Sequence, residues 1–271
     1  MMKLISTISS ISDGSTRGAG NAAGKELYGL LDVYFEQAAK QLLLATPSDG
    51  IDLIKYLISS FSRYHAAAGI SSRLLSYYDR WIKGEVDAGK GWFRPTKNMG
   101  LTWKELKDDK FKKSEKFQKL KRQELTQWGY EDGDSTQRVA TLEEYAEAGS
   151  PVNCTVPVKS MALRRFRTEL IAPLLLRVNA PNVSSAADPE SHVDNMQKAR
   201  GARNFIRRGQ SVLFNAVGGM LRSKNLDQEE KIRLAGELVN LLKVIGFRKN
   251  YALRRKLNDY LSLHLSTTPQ T

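Results

Sequence analysis

Apolar side chains recur every three or four positions along most of the chain, the spacing of one face of an α-helix. The pattern predicts a first helix over 25–44, a second over 51–65 that ends before Gly69, and a third over 74–82 that Gly84 ends. Alternating runs of β-branched and aromatic residues, which would indicate strands, are almost absent. The sequence therefore predicts an all-α fold.

The pattern is interrupted over 93–157. The first half of this stretch is rich in lysine, and the second half is acidic, with Glu131, Asp132, Asp134, Glu143, Glu144 and Glu147. Two alternatives stay open for these halves: they pair with each other, or they are solvated and mobile. We expect an inserted, partly disordered charged segment that contains some helix.

Helical spacing returns over 158–178, where Pro173 is expected to kink or shorten the end of the helix. After a polar loop over 179–192, the pattern predicts a basic helix over 195–221 and an amphipathic helix that Asp227 caps. A shorter helix is expected over 251–265. The predicted organisation is a helical bundle over 1–92 and 158–265, the charged insertion, and a disordered tail over 266–271.

Composition narrows the classes of partner and compartment. A net charge of +13 favours anionic partners such as nucleic acid, an acidic membrane surface or an acidic protein, and charge alone does not choose among them. The single cysteine, Cys154, excludes an intrachain disulfide and indicates a reducing compartment, the cytoplasm or the nucleus. No apolar run is long enough for a membrane span, and residues 1–12 are too polar for a signal peptide, so we expect no membrane partner.

Residues that carry catalytic chemistry are scarce. His65, His192 and His264 are far apart in sequence and none has the spacing of a metal-ligand motif. Cys154 has no neighbouring histidine, and no glycine-rich phosphate-binding motif occurs. The sequence predicts a protein without enzymatic activity, metal or cofactor.

Three separated stretches resemble the N-terminal repeat of cullins, the scaffold subunits of modular ubiquitin ligases. The first is the glycine-rich loop at 17–20 followed by Gly24-Lys25-Glu26-Leu27-Tyr28. The second, at 77–90, is similar to the family pattern Y-L-N-R-x-W-V-x-R-E-x-D-E-G-[KR], with the residue between Arg80 and Trp81 missing. The third is the S-L-A-L-like start of the helix at 160–174. The resemblance covers 1–92 and 158–262, which amounts to one cullin repeat, truncated and interrupted by the 93–157 insertion.

The resemblance implies a non-enzymatic scaffold linked to ubiquitin-ligase assembly and ubiquitin-dependent protein catabolism. It implies that a Skp-type or BTB-type adaptor binds at the N-terminal helix and at the helix over 158–178, through Leu4, Ile5, Ile8, Lys159, Met161 and Leu163. Because the resemblance does not include the cullin-homology domain, no RING partner is expected. At helical spacing, Tyr78, Trp81 and Ile82 are expected in the core regardless of family.

The lysine-rich half of the insertion supports an alternative, that the chain is a basic helical nucleic-acid-binding protein. Trp103, Phe111 and Phe117 are interleaved with cations, an arrangement in which aromatic rings stack on bases while charges hold phosphates. The competing interpretation is an amphipathic helix with its aromatics inside and its charges in water. The candidate polyanion-binding residues are Lys110, Lys112, Lys113, Lys116, Lys119 and Arg122.

Overall fold

The structure is a computed structural model. It describes residues 17–48, 50–93, 105, 108, 111, 114–176 and 211–265, with the side chains of 17–21 and 265 excepted. Over these ranges the chain forms helices joined by turns and contains no β-strand, which confirms the all-α prediction.

The first part of the chain forms α1 (Arg17–Leu44), α2 (Gly50–Leu74), a 3₁₀ turn (Ser76–Tyr78), α3 (Asp79–Glu85) and a π turn (Val86–Lys90). The segment predicted as an insertion contributes α4 (Glu115–Leu125), a 3₁₀ turn (Thr126–Trp128) and α5 (Thr136–Gly149). Next come α6 (Val158–Arg165), a π segment (Phe166–Ile171) and α7 (Ala172–Leu176). The described chain ends with α8 (Val212–Arg222), α9 (Gln228–Val244) and α10 (Ala252–Leu265).

The first two helices are longer than their sequence patterns predict. α1 begins at Arg17 instead of residue 25, and α2 continues through Gly69 to Leu74. Glycine costs about 1 kcal/mol in a helix interior, so packing has to offset it. Gly24 packs against Trp81, and Ala68 is buried one position before Gly69. Tertiary contacts therefore extend both helices through residues that favour termination.

Residues 158–176 form one central helix made of α6, the π segment and α7. It lies against α1, α2 and α5, and its buried side chains point in every direction around its axis. The wider π turns immediately precede Pro173 and accommodate the ring, so the helix continues to Leu176 instead of ending at the proline.

Two buried clusters meet along the central helix. The larger one joins α2, the end of the central helix, α8, α9 and α10, with Leu57, Phe166, Leu213, Leu238 and Leu253 among its members. The smaller one joins α1, α3 and α6. Its members include Leu27, Phe35, Tyr78, Ile82 and Met161. The predicted third segment is thus half right: Tyr78 and Ile82 are buried, but Leu74 is 73% exposed.

The described part of the 93–157 segment is folded. Leu125, Trp128, Leu142 and Ala146 form a third buried cluster between α4 and α5. The two charged halves pair at Lys121 and Glu143, whose charged atoms are 2.7 Å apart. The backbone N–H of Thr155 donates to the carbonyl of Lys90 at 2.7 Å, so the chain leaves and rejoins the bundle at one place.

Serine side chains cap three of the described helices. Ser114, Ser135 and Ser211 each accept a hydrogen bond from the backbone N–H three residues later, at the starts of α4, α5 and α8. Asp227 occupies the N-cap position of α9 as predicted, but its side chain makes no capping hydrogen bond. The starts of α4, α5 and α8 therefore follow local sequence signals.

Candidate partner-binding surfaces

The three predicted adaptor-binding residues that the structure describes do not form a common surface. Met161 is 0% exposed and Leu163 is 1% exposed, because the central helix is enclosed by α1, α2 and α5. Lys159 lies at the surface of α6 and pairs with Glu144 of α5 at 2.9 Å. Met161 and Leu163 are therefore enclosed in the folded chain, and their contact with a partner stays a prediction. Leu4, Ile5 and Ile8 lie outside the described residues.

The three cullin-like stretches contact one another at a single corner. The Tyr78 hydroxyl donates to the carbonyl of Gly24, and the Tyr78 ring stacks on Trp81 with centroids 5.1 Å apart. A Cβ on Gly24 would lie 2.5 Å from the indole nitrogen of Trp81, so only glycine permits this approach. Tyr28 donates to the carbonyl of Val156 at 3.1 Å and accepts from its N–H at 2.9 Å. Met161 of the third stretch lies in the same buried cluster as Tyr78, so residues from all three stretches contribute to one packed core corner.

A charged cluster joins the same corner to the central helix. Arg165 donates to Asp32 at 2.8 Å and lies 3.1 Å from the carboxylates of both Glu36 and Glu169. Hydrogen bonding to Asp32 is the main reason that the pKa of Arg165 is raised. This cluster fixes α1 against the central helix. Most of its charged groups have partners within the chain.

Arg164 is fully buried and acts on the loop that precedes α6. One of its terminal nitrogens donates to the carbonyls of Pro151 at 3.0 Å and Cys154 at 2.8 Å, and the other lies 3.8 Å from Asp32. Arg167 donates to the carbonyl of Ser150 at 2.9 Å, and burial lowers its pKa to about 10. These buried cations hold backbone carbonyls, which is a structural role.

A further buried contact joins α5 to α6. The Ser160 hydroxyl donates to Glu147 at 2.6 Å, and burial raises the pKa of Glu147 to about 7. From the sequence, Glu147 was grouped with the acidic half of the insertion, which was expected either to pair with the basic half or to be solvated. The one sign that Glu147 is buried was its position on the inner face of α5, directly before the buried residue Ala148.

Large apolar side chains are exposed on α1, on α2 and at the turn that follows it. Tyr34 is 57% exposed and its ring lies against Phe35, with centroids 5.4 Å apart. The Phe35 ring in turn contacts Tyr64 of α2 at 6.4 Å. The other exposed large apolar residues of these elements are Val33, Leu44, Ile70, Leu74 and Tyr77. We call Tyr34, Val33, Ile70, Leu74 and Tyr77 the α1–α2 apolar surface.

An open groove of about 470 Å³ lies where α2 meets the start of the central helix. We call it the α2–α6 groove, and it is lined by His65, Ala66, Gly69, Ile70, Arg73 and Lys159. Burial and the nearby Lys159 cation lower the pKa of His65, and the imidazole stacks on Phe61 with centroids 5.4 Å apart. From the sequence, His65 was assessed only as a candidate metal ligand. The sequence feature that could have indicated a groove is the pair of small residues Ala66 and Gly69, which are spaced three apart on one helix face.

The candidate polyanion residues that the structure describes lie on one face of α4. Lys116, Lys119 and Arg122 are exposed, and the ranges that the structure describes contain no ion-pair partner for any of them. Lys119 and Arg122 line a cleft of about 590 Å³, together with the acidic residues Glu115 and Asp132. Lys110, Lys112 and Lys113 lie outside the described residues.

The interleaved aromatics of this region contact each other. The Phe117 ring packs edge-on against Phe93 at 5.3 Å and against Phe111 at 5.8 Å, and Lys116 lies 6.0 Å from the centre of Phe111. Rings that pack on one another offer less face area for stacking on bases. This arrangement agrees with aromatics inside and charges in water.

Within the part of the chain that the structure describes, no group of three or more histidine, cysteine, aspartate or glutamate side chains is placed to hold a metal ion. Cys154 is buried, and its thiol lies 3.9 Å from the side-chain oxygen of Asn153. No described helix is long and apolar enough to cross a membrane.

Comparison with known proteins adds no relative: the chain matches no family model, no curated protein and no solved structure. The resemblance to the cullin repeat therefore depends on the residues of this chain and on how they pack.

Proposed function

We propose that the protein is a non-enzymatic, cullin-repeat-like interaction module that binds a Skp-type or BTB-type adaptor and is linked to ubiquitin-ligase assembly. The observation that supports this proposal is the contact among the three stretches of the resemblance. Gly24 of the first stretch packs against Trp81 of the second, and Met161 of the third lies in the same buried cluster as Tyr78.

The proposal assigns the partner to the α1–α2 apolar surface and Lys159 instead of Met161 and Leu163. Interface cores are enriched in aromatic residues, and exposed Tyr34 and Tyr77 are of this kind. Among the predicted adaptor-binding residues that the structure describes, Lys159 is the one that reaches the surface. A cytoplasmic or nuclear location follows from such a partner and agrees with the single cysteine.

Purified Skp-type and BTB-type adaptors test the proposal in a binding titration with the full chain. We expect Tyr34→Glu and Leu74→Glu each to weaken adaptor binding about tenfold or more, because a buried charge replaces an apolar anchor. Leu263→Glu is the matched control, since Leu263 is 68% exposed on α10 and outside the proposed surface. If no adaptor binds the wild-type chain, or if all three variants bind equally well, the proposal is wrong.

A second candidate function, polyanion binding, is favoured by the row of cations on α4. Lys116, Lys119 and Arg122 recur every three residues, so they lie along one helix face at a rise of about 4.5 Å per step. Unpaired cations in a row bind phosphates by releasing counterions, and such binding weakens steeply as salt rises.

Replacing Lys116, Lys119 and Arg122 together with glutamine tests the second candidate. If these residues contact phosphates of a duplex DNA or RNA, the slope of log affinity against log salt should fall by about 2 to 3. The control is the same change at Lys25, Lys83 and Lys224, which removes equal charge from exposed positions elsewhere. Equal slopes for the two triple variants would assign the binding to net charge and not to this face.

A further inference from the structure

The α2–α6 groove combines an apolar floor with cations and contains no acidic residue among its lining side chains. Ala66 and Gly69 form one face, and a Cβ on Gly69 would meet nothing within 4 Å, so the floor is open to a visiting side chain. Ile70, which is 51% exposed, adds an apolar edge. A volume near 470 Å³ suits one or two side chains of a partner segment.

The two permanent cations lie at different places along the groove. Lys159 acts electrostatically on His65 and is therefore near that end. Arg73 lies eight residues further along α2, which corresponds to about 12 Å at 1.5 Å per residue. A ligand that satisfies both cations must present negative charge at two points, with room for an apolar group between them.

One carboxylate of the chain already occupies part of this site. Glu144 of α5 reaches Lys159 at 2.9 Å, although both side chains are partly in solvent. Exposed ion pairs of this kind contribute little to stability, so an incoming carboxylate can replace Glu144 at small cost. Arg73 forms no ion pair with any residue in the described ranges and is free to bind the second carboxylate.

From these features we propose that the α2–α6 groove binds an acidic segment of a partner protein, with carboxylates at Arg73 and Lys159 and an apolar side chain over Gly69. The inference rests on the proposed role of the chain as an interaction module and names the chemistry of the partner segment. Glu144 then acts as an internal competitor for the carboxylate site at Lys159.

The probe is a labelled synthetic peptide with two acidic pairs about 12 Å apart and a leucine between them. Its matched copy carries glutamine in place of every glutamate. We expect the full-length chain to bind the acidic peptide at least about tenfold more tightly than the copy. Arg73→Gln and Lys159→Gln should each weaken binding about twofold to fivefold.

The decisive variant is Glu144→Gln, which should tighten binding about twofold to fivefold because it frees Lys159. Glu143→Gln is its control, since it removes the same charge from a neighbouring carboxylate that pairs with Lys121 instead. Gly69→Leu should weaken binding about tenfold or more by filling the floor. Gly69→Ala, which adds only a methyl group in open space, should leave binding within about twofold. Thermal unfolding of each variant checks that the fold is intact.

Equal affinities of Glu144→Gln and Glu143→Gln, or wild-type binding by folded Gly69→Leu, would overturn the inference. Competition by a duplex oligonucleotide as strong as that by the unlabelled peptide would also overturn it, because the site would then be a general polyanion surface. The proposed function has a separate outcome. Adaptor binding that Arg73→Gln and Gly69→Leu leave unchanged refutes the groove alone. The expected peptide pattern without any adaptor binding refutes the adaptor role alone.

Discussion

Replacing Gly246 with alanine is expected to lower the free energy of unfolding by about 4 kcal/mol or more. Gly246 follows α9 with a φ of +86°, a conformation that costs any other residue about 1 to 2 kcal/mol. A Cβ there would lie 2.1 Å from the backbone nitrogen of Gly149 and 2.6 Å from the carbonyl oxygen of Tyr145. Because both obstacles are backbone atoms of α5, a rotamer change cannot relieve the clash.

In the Gly246→Ala variant, we expect α4 and α5 to separate from the turn after α9. Trp128 donates its indole N–H to the carbonyl of Gly246 at 3.2 Å, and the N–H of Lys249 donates to the carbonyl of Gln127 at 2.8 Å. Both hydrogen bonds depend on the same close approach. Lower protection of the Lys249 amide in hydrogen exchange should therefore accompany the loss of stability.

Gly236→Ala is the control for this prediction. Gly236 lies inside α9 in a helical conformation, and a Cβ there would meet nothing within 4 Å. The same substitution should raise stability by about 0.5 to 1 kcal/mol, because alanine favours a helix interior. Urea unfolding of both variants measures the two effects. A Gly246→Ala variant within 1 kcal/mol of wild type would show that α5 does not need this contact.

The second large effect is a dependence of stability on pH that comes from Glu147. Burial raises the pKa of this carboxyl to about 7 in the folded protein, against 4.5 for the ordinary group. Between these values the folded state binds more protons than the unfolded state, so stability falls as pH rises. The contribution of Glu147 is complete below pH 4.5 and is lost as pH passes through 7. Allowing for partial exposure of Glu147, we expect a loss of about 2 kcal/mol.

Glu147→Gln isolates this effect. The amide oxygen can still accept from the Ser160 hydroxyl, but no charge is buried at high pH. The variant should be about 1 to 2 kcal/mol more stable than wild type at pH 8 and close to wild type at pH 4.5. The free energy of unfolding in urea, measured across this pH range, gives the difference curve.

Glu143→Gln serves as the comparison for Glu147→Gln. Glu143 pairs with Lys121 at 2.7 Å near the surface and repels Glu147 only as a lesser cause of its raised pKa, so its removal should produce a smaller gain at high pH than Glu147→Gln. A flat difference curve for Glu147→Gln, or the same curve for both variants, would mean that burial at Glu147 does not shift its titration.

Much of the helical architecture could be predicted from the sequence, because helix periodicity and capping are local. The all-α class, the end of the first segment near Leu44, the N-cap position of Asp227 and the last helix agree with the structure. Pairing of the two charged halves of the 93–157 segment was one of two alternatives that the sequence left open, and Lys121 and Glu143 form such a pair. Burial of Tyr78 and Ile82 followed from their spacing.

The surfaces available to a partner could not be predicted in this way. A helix that is amphipathic in sequence shows which face is apolar, but not whether the remaining face is covered as well. Lys159 stays at the surface whereas Met161 and Leu163 are enclosed, because three helices pack around the same central one. The candidate groove likewise requires α2 to lie beside the start of α6, which no local pattern records.

The sequence by itself determined the helix-forming segments, the net charge and the residues able to cap helices, since each depends on neighbours within a few positions. Only the tertiary structure decided which faces meet. It placed Gly246 against Gly149 and Trp81 against Gly24. It also brought Glu147 against Ser160 and enclosed Arg164. Such contacts depend on close packing between residues that are distant in the chain, where a single methyl group or an unpaired charge changes the free energy by several kcal/mol.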